Sequence, residues 1–244
     1  MLYGIIGYPL LQTFSPEYFR RKFEQLNLDA SYRKFPLAHI SELNALLLQE
    51  PELRGLNVTI PHKETVIPLL DELDETAAAI GAVNTIRISG GRLKGFNTDT
   101  IGFTDSLRPL LRQQHTSALV LGTGGSSKAV AYSLQQLGIP YQLVSRQAAA
   151  GRISYEQLTP ELIAQYKLIV NTTPLGMAPD TGACAGIPYS GIGPEHLLYD
   201  LVYNPAETLF LRKGKARSAQ TCNGYNMLTG QAEAAWAIWN LNQI

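Results

Sequence analysis

Short apolar runs alternate with stretches of helical spacing from one end of the chain to the other. LYGIIG at 2–7 reads as a buried strand, SYRKF at 31–35 alternates like a half-buried one, and GLNVTI at 55–60 is a third. Ser15-Pro16 opens a helix with Tyr18, Phe19, Phe23 and Leu26 on one face, Ser serving as cap and Pro as the first helical residue. Ser41 can cap a helix through Leu48. A further helix is expected from His62 and another over 72–80, stopped by Gly81. AVNTIRI at 82–88, Gly90-Gly91 and RLKGF at 92–96 read as a hairpin. Beyond a helix near 100–113 come strands at 117–122, 141–145, 167–171, 197–203 and 218–222, with a helix over 127–137 ended by Gly138. The last helix, about 227–241, carries Trp236, Ile238 and Trp239 and needs a surface to pack on. This alternation predicts an α/β fold with parallel sheets and helices on both faces. The Gly- and Pro-rich stretch 174–194 is long enough to suggest function or mobility.

Composition narrows the picture. Of 244 residues, 45% are hydrophobic, and 20 Lys and Arg balance 20 Asp and Glu. That balance excludes a disordered chain and argues against a partner with a phosphate backbone. No apolar run reaches the roughly 18 residues of a membrane span. MLYGIIGYPL lacks a basic opening, so no secretory signal is expected. Cys184 and Cys222 are far apart and form no CxxC pair, which points to free thiols in a reducing cytoplasm. His39, His62, His115 and His196 show no metal-ligand spacing, and no metal is expected.

The sharpest local signal is Gly122-Thr123-Gly124-Gly125-Ser126-Ser127, between an apolar strand and a helix. In that context Gly122 permits the tight turn, Gly124 admits a pyrophosphate, and the small Ser127 fits where helix meets strand. The helix N-terminus then offers free N–H groups to the phosphates. A strand that binds NAD usually places an acid about 20 residues after the glycines. Here the second strand ends in Ser145-Arg146, and a guanidinium suits the 2′-phosphate of NADP. A solvated surface arginine is the alternative.

The first half carries NVTIPHK at 57–63, GAVNT at 81–85 and NTD at 97–99, polar side chains at the ends of apolar strands. Lys63 at the start of a helix is by itself an ordinary surface charge. Paired with Asp99 at a nicotinamide, it makes a proton relay, because carbonyl reduction needs a proton as well as a hydride.

These motifs, with Ser15-Pro16, NTTPLGM at 171–177, YNPAET at 203–208 and Gly230-Gln231-Ala232, occur in an order and spacing that resembles the shikimate/quinate dehydrogenase family over almost the whole chain. The resemblance implies an α/β substrate domain, 1–100 plus 225–244, interrupted by a Rossmann-type doubly wound parallel-sheet domain, 101–224, with the C-terminal helix returning to the first. It implies reduction of 3-dehydroshikimate to shikimate with NADPH in aromatic amino-acid biosynthesis. Lys63 is then the acid–base residue, with Asp99 beside it. Asn84, Thr59 and Gln231 bond ring hydroxyls, while Thr13, Ser15 and Tyr203 receive the carboxylate. Gly122, Gly124, Gly125, Ser126 and Ser127 hold the pyrophosphate, Ser145 and Arg146 the adenosine phosphate, and Gly224 and Met227 line the nicotinamide. The expected partner is a small-molecule substrate, with neither nucleic acid nor membrane, for a monomer or homodimer.

Departures and bland alternatives stand beside this. Thr13 replaces a serine common in the family, Gln147 a threonine, and a longer C-terminal helix is expected to be missing. Ser15 can be a helix cap, Thr59 ordinary β-propensity, Tyr203 core packing and Gln231 a surface residue; Asn57 is read as structural. Two other functions remain open: a quinate or NAD-using relative, and a non-catalytic nucleotide-binding regulator.

Overall fold

The structure, a computed structural model, describes residues 1–10 and 13–241. It divides into two compact units, Met1–Thr98 with Gln231–Ile244, and Asp99–Gly230.

In the first unit, β1 (Leu2–Gly7) is buried along its whole length. It is followed by α1 (Ser15–Gln25), β2 (Ser31–Pro36), α2 (Leu43–Gln49), β3 (Leu53–Val58) and α3 (His62–Thr65). Then come β4 (Glu72–Leu73), α4 (Glu75–Ile80), β5 (Thr85–Ser89) and β6 (Arg92–Phe96). The sheet runs β2-β1-β3-β5-β6-β4. It is mixed rather than parallel: β2, β1 and β3 are parallel, while β5 is antiparallel to both β3 and β6. The cause is local, since Gly90 and Gly91 hold φ of 57° and 76°, the left-handed pair of a two-residue hairpin turn.

Alternation along β1 sends Leu2 and Ile6 into one cluster with Leu43, Leu56 and Ile86, and Tyr3 into another with Phe19, Phe23 and Trp239. The second cluster is aromatic, with Tyr3 stacked on Trp239 at 4.9 Å and Phe19 on Tyr32 at 4.8 Å. The tryptophans of the last helix, α9 (Tyr225–Trp239), thus have their packing surface. Gly55 makes room for it, because a Cβ there would lie 2.3 Å from the Trp239 indole nitrogen.

Helix starts differ from expectation. Phe14 already has helical φ and ψ and occupies the cap position, so Ser15 lies inside the first turn and does not cap α1. Before α2 the turn forms at His39, whose N–H donates to Glu42 Oε1 at 2.7 Å, rather than at Ser41. The stretch 72–80 splits into β4 and α4 because Asp74 accepts from the Thr76 N–H and caps a shorter helix.

The second unit contains α5 (Asp99–Leu107), β7 (Ala118–Leu121), α6 (Gly125–Gln136), β8 (Tyr141–Ser145), β9 (Arg152–Ser154) and α7 (Pro160–Gln165). It continues with β10 (Leu168–Asn171), β11 (Leu197–Asp200), α8 (Leu209–Lys215) and β12 (Gln220–Cys222). Its sheet, β12-β11-β10-β7-β8-β9, is parallel throughout. Two apolar clusters cover its faces. The stretch 174–194 is packed rather than loose in its second half, with Ala185, Ile187 and Ile192 buried in one of those clusters.

Candidate active site

The chain of the first unit goes from β1 through α1 to β2 on one side, then through α2 to β3 on the other. Open α/β sheets bind ligands at such a reversal, outside the carboxyl ends of the strands. The segments leaving β1 and β3 run side by side there: the Thr59 N–H donates to Ile6 O at 2.9 Å and the Tyr8 N–H to Ile60 O at 3.0 Å. Gly7 allows this approach, since a Cβ would sit 2.4 Å from Thr59 Cγ2. The antiparallel hairpin then returns the start of β5 and the end of β6 to the same place, where the Val58 N–H donates to Asn84 O and the Asn84 N–H to Phe96 O.

Topology therefore gathers Thr59, Lys63, Asn84 and Thr98 at one end of one sheet. Asn84 is buried at the centre of a polar network. Its Oδ1 accepts from the Thr98 N–H at 2.7 Å, and its Nδ2 reaches Thr98 Oγ1 at 3.0 Å and Gln231 Oε1 at 3.4 Å. Gln231, on α9, is buried rather than on an exposed face. Asn57 bridges outward, donating to Thr85 Oγ1 and accepting from the Tyr32 hydroxyl at 2.7 Å. Ser15 is buried, and burial keeps the Tyr32 phenol protonated. Lys63, half-buried in α3, accepts the Val83 N–H on its carbonyl at 2.7 Å. Its neighbour His62 is fixed by Leu37 O at 2.7 Å. Among the described residues the buried Thr13 hydroxyl oxygen has no hydrogen-bond partner. Thr13 borders a groove of about 970 Å³ shared with Tyr32 and Lys34.

The second unit has its own reversal, between β7 and β10. There Gly122 turns at φ +117°, a value only glycine holds easily, and a Cβ would lie 2.5 Å from Thr172 Oγ1. A Cβ on Gly124, in contrast, would meet nothing within 4 Å. That open face lies at the N-terminus of α6, whose first N–H groups have no partner inside the helix. Ser127 is buried and donates to Gly124 O at 2.6 Å, closing the turn. Gly125 and Ser126 begin the helix. The cradle fits a dinucleotide pyrophosphate. At the end of β8 the Ser145 hydroxyl donates to the Gln147 carbonyl, and Arg146 is exposed.

Asp99, buried, is the first residue of α5, and Tyr203 is half-buried with its phenol pushed up by burial. Gly224 lets the chain pass Leu201, whose carbonyl oxygen would be 2.0 Å from a Cβ. Met227 is buried in the cluster that holds Phe103 and Tyr199.

Known proteins share the sequence and fold of this chain. The family model for the shikimate dehydrogenase substrate binding domain matches residues 5–86. The shikimate dehydrogenase (NADP(+)) of Carboxydothermus hydrogenoformans is 40% identical, across 98% of this chain and 91% of that protein. The chain belongs to the shikimate dehydrogenase family. Among solved structures, shikimate dehydrogenase from Aquifex aeolicus is 34% identical with a TM-score of 0.88, covering 100% of this chain and 93% of that one. The Thermus thermophilus enzyme, in complex with NADP(H) and shikimate, is 31% identical with a TM-score of 0.87, over 98% and 93%.

Within this shikimate dehydrogenase fold, sequence reasoning missed Tyr32, Thr85 and Thr98 as partners of the expected residues. Tyr32 lay in the alternating SYRKF, and Thr85 and Thr98 lay inside the GAVNT and NTD motifs. Among the described residues no group of three or more His, Cys, Asp or Glu could hold a metal ion, and no helix is long and apolar enough to cross a membrane.

Proposed function

We propose that this chain catalyses the NADP-dependent interconversion of 3-dehydroshikimate and shikimate, a step toward the aromatic amino acids. The observation that carries the reading is the set of hydroxyl, amide and ammonium groups gathered at the carboxyl end of the first sheet. A polyhydroxylated ring acid needs such a set.

NADPH bound at the glycine turn supplies the hydride. The residues do the rest. Lys63 holds the proton that the carbonyl oxygen requires and takes it back in the reverse direction. Asp99 accepts from the substrate hydroxyl. Thr59, Asn84 and Gln231 fix the ring hydroxyls, and the network behind Asn84 sets the direction of its amide before substrate arrives. Thr13, Ser15 and Tyr203 donate to the carboxylate. Gly124, Gly125, Ser126 and Ser127 receive the pyrophosphate, and Arg146 the 2′-phosphate. The free thiols of Cys184 and Cys222 suit a reducing cytoplasm.

A second reading, relaxed use of NAD, is favoured by one feature. The Ser145 hydroxyl gives its hydrogen to Gln147, so it adds no donor beside Arg146. Purified protein is to be assayed with shikimate or quinate and with NADP+ or NAD+, following reduced cofactor by absorbance. Strong preference for shikimate with NADP+ is expected, and no turnover with any pair removes the reading. Lys63→Ala is expected to lower kcat by roughly 10²–10⁴ with a smaller change in KM. Turnover near the wild-type rate would take Lys63 out of the chemistry.

A further inference from the structure

Asp200 ends β11 and has no exposed surface. Its carboxylate accepts three hydrogen bonds from neutral donors: Asn171 Nδ2 at 2.9 Å, the Val202 N–H at 3.0 Å and the Thr208 hydroxyl at 2.5 Å. Burial pushes this carboxyl up to about 6, and the three donors offset only part of that push. A buried charge held by neutral donors weakens the fold relative to a neutral side chain of the same shape. What the charge contributes is therefore sought in geometry.

Each donor fixes a different piece of chain. Asn171 ends β10, and its Oδ1 accepts from the Thr173 N–H at 3.1 Å and the Thr173 hydroxyl at 2.6 Å, shaping the segment that follows. Thr172, between them, donates to Leu121 O at 2.7 Å and lies against Gly122. On the other side, Val202 and Thr208 bracket the segment that carries Tyr203. Thr208 in turn caps α8, accepting from the Leu211 N–H. The two segments are joined once more where the Ala178 N–H donates to Asn204 O at 3.1 Å.

We propose that Asp200 is a positioning residue, whose carboxylate sets the 172–178 segment against the dinucleotide turn and holds the Tyr203 segment in register with it. The inference rests on the dehydrogenase reading above for the roles of the glycine turn and Tyr203. An ionised carboxylate is suited to this because it only accepts, so all three donors must point inward. In Asp200→Asn one oxygen becomes an amide donor of the same size. The Thr208 hydroxyl can then no longer give its hydrogen at that position.

The test uses the full chain with NADP+ and shikimate. Asp200→Asn is expected to fold, with thermal stability near pH 8 equal to or above wild type. Its kcat/KM for shikimate is expected to fall at least tenfold and its Kd for NADP+, by titration calorimetry, to rise severalfold. Thr208→Ser, which keeps the hydroxyl, is expected to stay within threefold of wild type, while Thr208→Val follows Asp200→Asn. A structural role alone would lower the melting temperature and leave both constants of the folded protein unchanged. Asp200→Asn and Thr208→Val each within twofold of wild type overturns the proposal. If Asp200→Asn does not fold, the Thr208 pair decides: a tenfold split supports positioning, and no split overturns it. A wild-type protein without shikimate turnover sinks the dehydrogenase reading instead, and the ratio of NADP+ constants still tests the inference.

Discussion

The two ends of the proposed chemistry are built from different materials. At the carboxyl end of the first sheet, recognition is prepared by side chains: Asn84, Thr85, Thr98, Gln231, Asn57 and Tyr32 form one buried hydrogen-bonded set. At the β7–β10 reversal of the second unit, recognition is left to backbone, a glycine turn with empty space above Gly124. The difference follows from the ligands expected at each. A ring with several hydroxyls needs donors and acceptors at fixed points, whereas a pyrophosphate needs N–H groups and room for close approach. The first end should therefore be sensitive to the loss of any one side chain, and the second to the gain of one.

After Lys63→Ala, the largest effect is expected from Asn84→Ala. It removes the proposed contact to a ring hydroxyl and also strands the buried Thr98 N–H, which loses its 2.7 Å acceptor. Stranding that N–H costs about 1–3 kcal/mol of stability and lowers the melting temperature, and leaving the substrate hydroxyl unpaired costs a similar amount, so kcat/KM for shikimate should fall by up to roughly a hundredfold. An Asn84→Ala protein that keeps wild-type shikimate kinetics would show that the network is only scaffolding.

Smaller effects should follow from adding a methyl group at the other end, and the two glycines should respond differently. Gly122→Ala meets both φ +117° and the Thr172 hydroxyl, so it should lower stability by about 1–3 kcal/mol. Gly124→Ala has φ −84° and open space, so its melting temperature should match wild type. Its methyl group nonetheless stands where a pyrophosphate approaches, and the Kd for NADP+ should rise about tenfold or more. Shikimate binding measured without cofactor should be unchanged in Gly124→Ala. A Gly124→Ala protein with unaltered NADP+ affinity would break the contrast, since the turn would then not be the phosphate site.

How much of this could be read along the chain follows the same division. The glycine turn was legible because its parts are contiguous, strand, turn and helix within about 20 residues. The polar network was not, because its partners are distant in sequence: Tyr32 and Asn57 lie 25 residues apart, Asn84 and Gln231 147. The strands were visible as apolar runs, yet the ends of three of them, β3, β7 and β11, were placed too late. LLYDLVY reads as strand to residue 203, but Asp200 takes the Val202 N–H for its own carboxylate and the ladder stops. The expected cap at Ser15 failed in a similar way, because Phe14 turns helical first and takes the cap position. Short elements such as β9, α7 and α8 gave too little periodicity to stand out.

The smallest effect concerns acid, and it belongs to the second unit. Desolvation holds His115 and His196 below the usual histidine value, and each is satisfied as a neutral ring. The His115 Nδ1 accepts from the Arg112 N–H at 3.0 Å and the His196 Nδ1 from the Gly193 N–H at 3.0 Å, bonds that a protonated ring cannot accept. Below about pH 6.5 the unfolded chain takes up protons that these two rings refuse, so their contribution to stability is lost as pH falls. Asp200 works in the opposite direction. With its folded value near 6 and an ordinary value of 3.8, the folded state binds the extra proton between about pH 6 and 4, and stability is gained on acidification. One proton taken up at Asp200 offsets one of the two that the histidines refuse, so the wild-type melting temperature should fall only gently between pH 7 and pH 5. In Asp200→Asn the compensating uptake is gone, and the melting temperature should fall more steeply over that range. Hydrogen exchange at pH 5 should then quicken in β7, β10 and β11 before it quickens in β1 and β3, because both histidines lie in the second unit.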